Sequence, residues 1–379
     1  MLIELPLRQT GALQQTVRGE HLIGGTLAEI INYPVLALVG QEEMKTALIL
    51  AAINPRVRGV LLMGPRGTGK TTAARGLVDL LPPAPRSTCP HGCEPRLAAI
   101  SMEYVCPDCA GKLEAGEDTT YLAPMQLVEL PLNASMDDVI GGPNPRIALE
   151  QSRWQLQQGL LYYAHRNMLY VDEINLLDEE IVNCILDAAS RGYYVVRRGR
   201  LIGTFSSEFL LIGSMNPEEG ALRPQLMDRL GLRVVVVPLQ DPEQRLEVYE
   251  RNRRFADDPV TFAAGYAEET MALADEIARA KDLLPSVTIS PHLAKSAMTL
   301  INSLSIQSHR AEIVLLEAAR ARAAADGRTE VKSEDIAVTS PLALRQRRSD
   351  FMERFVTDSQ EEDERIAKGA EGILGNEEA

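Results

Sequence analysis

Aromatic side chains make up only 4% of this 379-residue chain, and tryptophan occurs once. That scarcity disfavours a β fold packed on aromatic ladders and points to helix-rich aliphatic packing. No stretch of about 18 or more uncharged apolar residues occurs, so no membrane-spanning helix is expected. The start, Met1-Leu-Ile-Glu-Leu-Pro6, lacks a basic segment followed by an apolar one. Export is therefore not expected, and a cytoplasmic location is. Basic charge is also short: 39 Lys and Arg face 53 Asp and Glu, a net charge of −14. An acidic body argues against tight non-specific binding of nucleic acid. The end, Asp358 to Ala379, is the most acidic stretch and reads as a solvated, partly disordered tail. There is no internal repeat.

What is abundant is aliphatic. Apolar residues reach 45%, and the length allows two or three domains with a sizeable core. The apolar run Val60-Leu-Leu-Met63 leads into Gly64-Pro-Arg-Gly-Thr-Gly-Lys-Thr71 and then a helix predicted over Thr71–Leu81. Strand, glycine-rich loop and helix in that order form a phosphate-binding loop. Its backbone N–H groups turn inward on phosphate oxygens, and the helix N-terminus adds a favourable dipole. Gly64, Pro65, Arg66, Gly67, Thr68, Gly69, Lys70, Thr71 and Thr72 are the candidate nucleotide contacts. Lys70 reaches the β- and γ-phosphates, and the Thr71 hydroxyl can ligate Mg²⁺. The plainer alternative is a glycine-rich turn before an ordinary helix.

Other residues extend the chemistry from binding to hydrolysis. The strand Met168–Val171 ends in Asp172-Glu173. Asp172 there can hold Mg²⁺ beside the phosphates, and Glu173 can orient the attacking water. Otherwise the pair is a helix cap. Asn216 closes the apolar strand Phe209–Ser214, where an amide suits water or the γ-phosphate, or simply forms an Asn-Pro turn. Arg229 follows Asp228 and can neutralise charge on the transferred phosphoryl group, often from a neighbouring subunit. Taken alone it is a surface ion pair. Arg310, at a helix start, can couple the second domain to the γ-phosphate.

Further elements are predicted as helices over Gln41–Ile53, Ile147–Ala164 (broken at Gly159) and Leu177–Arg191. Strands are expected at Leu127–Leu132 and Val234–Val237, and a hairpin over Tyr193–Phe205. Strands alternating with helices argue for a parallel α/β sheet covered on both faces. After Asp241 the pattern becomes helical: Pro242–Phe255, Glu268–Lys281, Pro291–Ser303, Ala311–Asp326 and Ser333–Thr339. We expect a nucleotide-binding domain over 1–241 with a cysteine-bearing insertion at 82–121, a helical lid over 242–348, and the tail over 349–379. In the insertion, Cys89-x₃-Cys93 and Cys106-x₂-Cys109 are spaced like two ligand knuckles for tetrahedral Zn²⁺. Redox-active or unpaired thiols are the alternatives. Cys184 reads as a core residue.

Taken together, these motifs resemble the AAA+ ATPases. Tyr33-Pro34, Val39-Gly-Gln-Glu42, Leu169-Tyr-Val-Asp-Glu-Ile-Asn-Leu-Leu177, Asn216-Pro-Glu-Glu-Gly220, Leu222-Arg-Pro-Gln-Leu-Met-Asp-Arg229 and Pro341-Leu-Ala-Leu-Arg345-Gln-Arg347 narrow the likeness. They are similar to the I-subunit family of the magnesium chelatases, over residues 30 to 348. The resemblance implies a five-stranded P-loop sheet with a smaller all-helical lid. It also implies ATP with Mg²⁺ between subunits of a ring, usually six. Lys70, Thr71, Asp172 and Glu173 would act in cis, Asn216 as sensor 1, Arg229 as a trans arginine finger and Arg310 as sensor 2. Implied partners are a D subunit and a porphyrin-binding H subunit, with Mg²⁺ inserted into protoporphyrin IX in chlorophyll or bacteriochlorophyll synthesis. Met215 stands where the family usually has glycine. A related AAA+ machine serving another metal-insertion or remodelling client is the alternative.

Overall fold

The computed structural model describes residues 31–348, except 90–91, 95–99, 102–104, 144–155 and 200, together with 358–359, 362–363 and 365–366. The first half comprises α1 (Glu42–Ile53), β1 (Val60–Met63), α2 (Lys70–Leu77), β2 (Ala84–Ser87), α3 (Pro107–Glu114), β3 (Thr120–Ala123), β4 (Leu127–Leu130), α4 (Met136–Ile140) and β5 (Gly141–Pro143). Next come β6 (Leu156–Gln158), α5 (Leu160–Ala164), β7 (Met168–Val171), α6 (Glu179–Arg191), β8 (Tyr193–Arg198), β9 (Leu201–Ser206), β10 (Leu210–Met215), α7 (Pro224–Met227) and β11 (Leu232–Val235). Beyond β11 the elements are helices: α8 (Pro242–Asp257), α9 (Pro259–Ala264), α10 (Ala267–Leu283), α11 (Pro291–Ser303), α12 (His309–Ala325) and α13 (Ser333–Leu344).

Five strands form a parallel sheet in the order β11-β1-β10-β7-β4. Alternate side chains go to opposite faces, as a pleated strand requires. Val60, Leu62, Met168, Tyr170 and Ile212 pack with α1, α2 and the late helices. Leu61, Met63, Leu169, Val171 and Leu211 pack with α4, α5 and α6. Both faces are thus covered, which is why these strands read as unbroken apolar runs. Each fully buried branched side chain contributes about 1.5–3 kcal/mol. β1 lies between β10 and β11, so the loop after it opens at the carboxyl ends of three strands.

The late helices pack against the sheet domain. Val314, Leu315 and Ala318 of α12 share one apolar core with Met44, Leu48 and Ala51 of α1. Buried Asn54 donates to the Glu317 carbonyl at 3.0 Å and to its carboxylate at 2.7 Å. Two buried arginines fasten the segment after α13. Arg233 of β11, 1% exposed, donates to the carbonyls of Arg345, Gln346 and Met227 at 2.8, 2.7 and 2.6 Å. Arg347 donates to Leu230 and Gly231 at 2.8 and 2.9 Å. Burial, with the Arg347 charge behind it, brings the Arg233 guanidinium down to about 9.

Several expected boundaries move. Of the helix expected over Ile147–Ala164, only Leu160–Ala164 is helical, and 147–155 lie outside the described residues. Leu156–Gln158 instead pairs antiparallel with Gly141–Pro143. At Gly159 a Cβ would lie 2.3 Å from the Gly141 nitrogen and 2.5 Å from the Val139 carbonyl, so the chain turns there on bare backbone. The fifth strand runs Leu232–Val235 rather than Val234–Val237, because Leu232 pairs with Val60 at the start of β1. α9 was not expected, although Asp258 caps it with a 3.0 Å bond from Thr261 N–H and Pro259 opens it. α13 continues through Pro341 to Leu344. Of the acidic tail, only 358–359, 362–363 and 365–366 are described, and they are helical.

Candidate functional site

The loop after β1 has the backbone that its glycines permit. Gly67 and Gly69 sit at φ +78° and +85°, a region that favours glycine. At Gly64 a Cβ would lie 2.1 Å from the Val236 carbonyl. Lys70, first residue of α2, curls back to donate to the Gly64 and Pro65 carbonyls, each at 2.7 Å. Burial lowers its ammonium pKa, while Asp172, Glu173 and Glu219 oppose the shift. A cleft of about 210 Å³ is lined by this loop with Asp172, Glu173, Ser214 and Asn216 from the ends of β7 and β10. Four candidates from distant stretches of sequence therefore meet in one place: Lys70, Asp172, Glu173 and Asn216.

Oxygen donors gather at its floor. Thr71 Oγ1 lies 3.4 Å from Asp172 Oδ2 and 2.9 Å from the Tyr170 hydroxyl, which donates to Asp172 Oδ1 at 2.9 Å. Burial drives the Tyr170 phenol pKa well up, so it stays protonated as a donor. Ser214 Oγ also donates to Asp172 Oδ1 and accepts from Glu173 N–H at 3.1 Å. The Thr71 hydroxyl on α2 and the Asp172 carboxylate after β7 fit Mg²⁺, which prefers hard oxygen ligands completed by water and phosphate. Glu173 has φ +47° and ψ +50°, a strained backbone for a non-glycine residue that aims its side chain across the cleft. There Arg66 pairs with Glu173 at 3.0 Å and with Glu219 at 2.5 Å. Asn216 is 4% exposed, and its Oδ1 accepts from Glu218 N–H at 3.3 Å.

Sequence reasoning missed Tyr170, Ser214 and Glu219, and it missed a second cleft of about 590 Å³. That cleft shares Arg66, Gly67, Thr68, Gly69 and Thr72 with the first and extends to Tyr33, Leu38, Arg245, Tyr249 and Asn252. Its apolar and aromatic walls suit a nucleoside. Tyr33-Pro34 and Val39-Gly-Gln-Glu42 were the local signals that fall on it.

Arg229 and Arg310 do not line either cleft. Arg229 pairs with Asp187 of α6 at 2.7 Å. Arg310 pairs with Asp228 at 3.0 Å, and Arg347 and Ser308 bind the same carboxylate at 2.7 Å each. Burial opposes ionisation of Asp228, but these partners outweigh it and hold its carboxyl below the usual range.

The cysteines lie apart from the clefts. The sulfurs of Cys89, Cys93, Cys106 and Cys109 are all within 4.8 Å of one another, and none is disulfide-bonded. Cys93 N–H points at Cys89 Sγ at 3.4 Å, and Cys106 N–H at Cys93 Sγ at 3.2 Å. Burial opposes ionisation of Cys89, but hydrogen bonds from Ser87 and the Cys93 amide bring it down to about 6. Burial pushes Cys93 up to about 11. Cys184 is half-buried at the edge of the α6 core.

Family models match residues 35–90 as magnesium chelatase, subunit ChlI, and residues 295–368 as an AAA lid domain. The magnesium-chelatase subunit ChlI homolog of Methanocaldococcus jannaschii is 42% identical over 322 residues, spanning 84% of this chain and 87% of the relative. The magnesium-chelatase 38 kDa subunit of Acidiphilium rubrum is 40% identical over 83% of this chain and 90% of its own length. A crystal structure from Cytophaga hutchinsonii shares the fold at 19% identity and a TM-score of 0.53, covering 83% of this chain and 84% of that one. Identity of this order across both the α/β layer and the helices that follow is decisive, and the chain belongs to the magnesium-chelatase subunit ChlI family of AAA+ ATPases.

Proposed function

We propose that this chain is the ATPase motor of a magnesium chelatase, with nucleotide bound in the joined clefts and hydrolysed at a contact between copies. The observation that carries this is the meeting of the phosphate loop with Asp172, Glu173 and Asn216 in one cleft of a ChlI-family chain. Thr71 and Asp172 would hold Mg²⁺, which neutralises charge on the β- and γ-phosphates when bound. Lys70 exchanges its two loop carbonyls for phosphate oxygens. Glu173, freed from Arg66, orients the attacking water, and Asn216 faces the γ-phosphate from the end of β10.

Arg229 and Arg310 flank Asp228 away from their own cleft, which supports action on the nucleotide of a neighbouring copy. A closed ring, six by family habit, follows from such head-to-tail use. Metal insertion into protoporphyrin IX falls to the D- and H-type partners. We assign the cysteine cluster separately to a structural Zn²⁺.

Substituting Glu173→Gln tests the core of this. The variant is expected to bind ATP as tightly as the parent while turnover falls about 10²-fold or more. Unchanged turnover would refute the role. Met215 before Asn216 favours a second client only if Mg²⁺ insertion into a porphyrin fails in reconstitution with D- and H-type subunits.

A further inference from the structure

Glu94 follows Cys93 directly and is a buried carboxylate, 6% exposed. It pairs with His165 Nε2 at 3.1 Å and Arg166 Nη2 at 3.0 Å. His165 Nδ1 accepts from Glu208 N–H at 3.1 Å, so the ring proton sits on Nε2 and points at Glu94. Arg166 in turn donates its backbone N–H to the Glu208 carbonyl at 2.7 Å and pairs with the Glu208 carboxylate at 3.4 Å. Arg166 has φ +59°, a conformation that needs such over-determination in a non-glycine residue.

The position of these residues gives the contact its meaning. His165 and Arg166 lie just before β7, which ends in Asp172 and Glu173. Glu208 lies between the β8–β9 hairpin and β10, which leads to Ser214 and Asn216. The cysteine knuckle also approaches Tyr162, whose ring meets Phe205 of the hairpin edge-on at 6.1 Å. Phe205 stacks on Tyr194 at 5.4 Å. The knuckle thus meets the entry of β7 directly at His165 and Arg166, and reaches the hairpin root and the entry of β10 through Tyr162, His165 and Arg166.

Among the described residues the knuckle has a small core. Its apolar cluster is Cys93, Val105 and Cys109 with a few partly buried neighbours. A tetrahedron with Zn–S bonds of about 2.3 Å has sulfur–sulfur edges of about 3.8 Å, within the observed limit of 4.8 Å. Amide N–H groups aimed at Cys89 and Cys93 are the outer-shell donors that a thiolate–metal centre uses.

We infer that Zn²⁺ at Cys89, Cys93, Cys106 and Cys109 acts as a brace: by fixing Cys93 it seats Glu94 between His165 and Arg166 and so stiffens the root of the β8–β9 hairpin. The inference rests on the zinc assignment but on none of the ATP chemistry. Full-length protein purified without chelator should contain about one zinc per chain, and a Cys93→Ser, Cys109→Ser variant none. Hydrogen–deuterium exchange of residues 193–206 should be at least about tenfold faster in that variant than in the parent. Glu94→Gln should keep its zinc yet speed exchange in the same segment, which separates the brace from mere unfolding of the insertion. Nucleotide binding to Glu94→Gln should persist. Absence of zinc from the parent, or intact thiols replaced by disulfides, overturns the metal. Zinc present with unchanged hairpin exchange in Glu94→Gln overturns the brace.

Discussion

Asp228 gathers Ser308, Arg310 and Arg347 on one carboxylate, next to the arginine proposed to act across the interface. Asp228→Asn keeps the volume and removes the charge, leaving Arg347 buried and uncompensated. Stability is expected to fall by about 1–3 kcal/mol in chemical denaturation, with nucleotide binding retained and turnover down about tenfold. The sign with pH follows from its lowered pKa. Its contribution is complete above the ordinary carboxylate value of about 4 and is lost as pH falls through the lower native value, and Asp228→Asn should flatten that acid limb. Tyr170→Phe removes the hydroxyl shared by Thr71 and Asp172. It should raise the Mg²⁺ concentration needed for half-maximal binding of a fluorescent ATP analogue about tenfold, while binding without metal is unchanged. Lys70 and Thr71 are legible in sequence because phosphate geometry dictates the spacing of their loop, and Asp172 and Glu173 because an acidic pair closes an apolar strand. Tyr170 is not, because in an apolar strand its ring reads as core and only the fold shows where its hydroxyl ends.

The elements follow the same division. Strands β1, β7 and β10 announce themselves as apolar runs because both faces of the sheet are covered. β6 is three residues long and carries two glutamines, too little pattern to separate it from the helix that follows. α9 was signalled by Asp258-Pro259 and was overlooked because six residues give no periodicity. The turn at Gly159 offers a test. Gly159→Ala forces a methyl against the Gly141 nitrogen and the Val139 carbonyl and should cost about 1–3 kcal/mol in thermal or chemical unfolding. ATP affinity should stay near the parent value, since the phosphate loop is not involved.

Across the whole molecule, the cleft at the phosphate loop was foreseeable and the second cleft was not. The latter joins Tyr33 and Gln41 to Tyr249 and Asn252, and no local pattern links residues more than two hundred positions apart. Likewise the sequence suggests a helical lid, and only the fold shows that α12 of that lid shares one core with α1. The proposed sharing of sites between copies predicts complementation. Mixtures of Arg229→Ala with Lys70→Ala subunits should recover part of the ATPase activity that neither has alone, because some interfaces then pair an intact loop with an intact arginine. No recovery at any ratio counts against a trans role. The two guanidiniums buried beneath residues 345–347 carry one more consequence. They moor the point where the chain leaves α13 to the same stretch of backbone that bears Arg229. A pull at residues 345–347 would therefore bear directly on the backbone at Leu230 and Gly231, beside the arginine proposed to act across the interface.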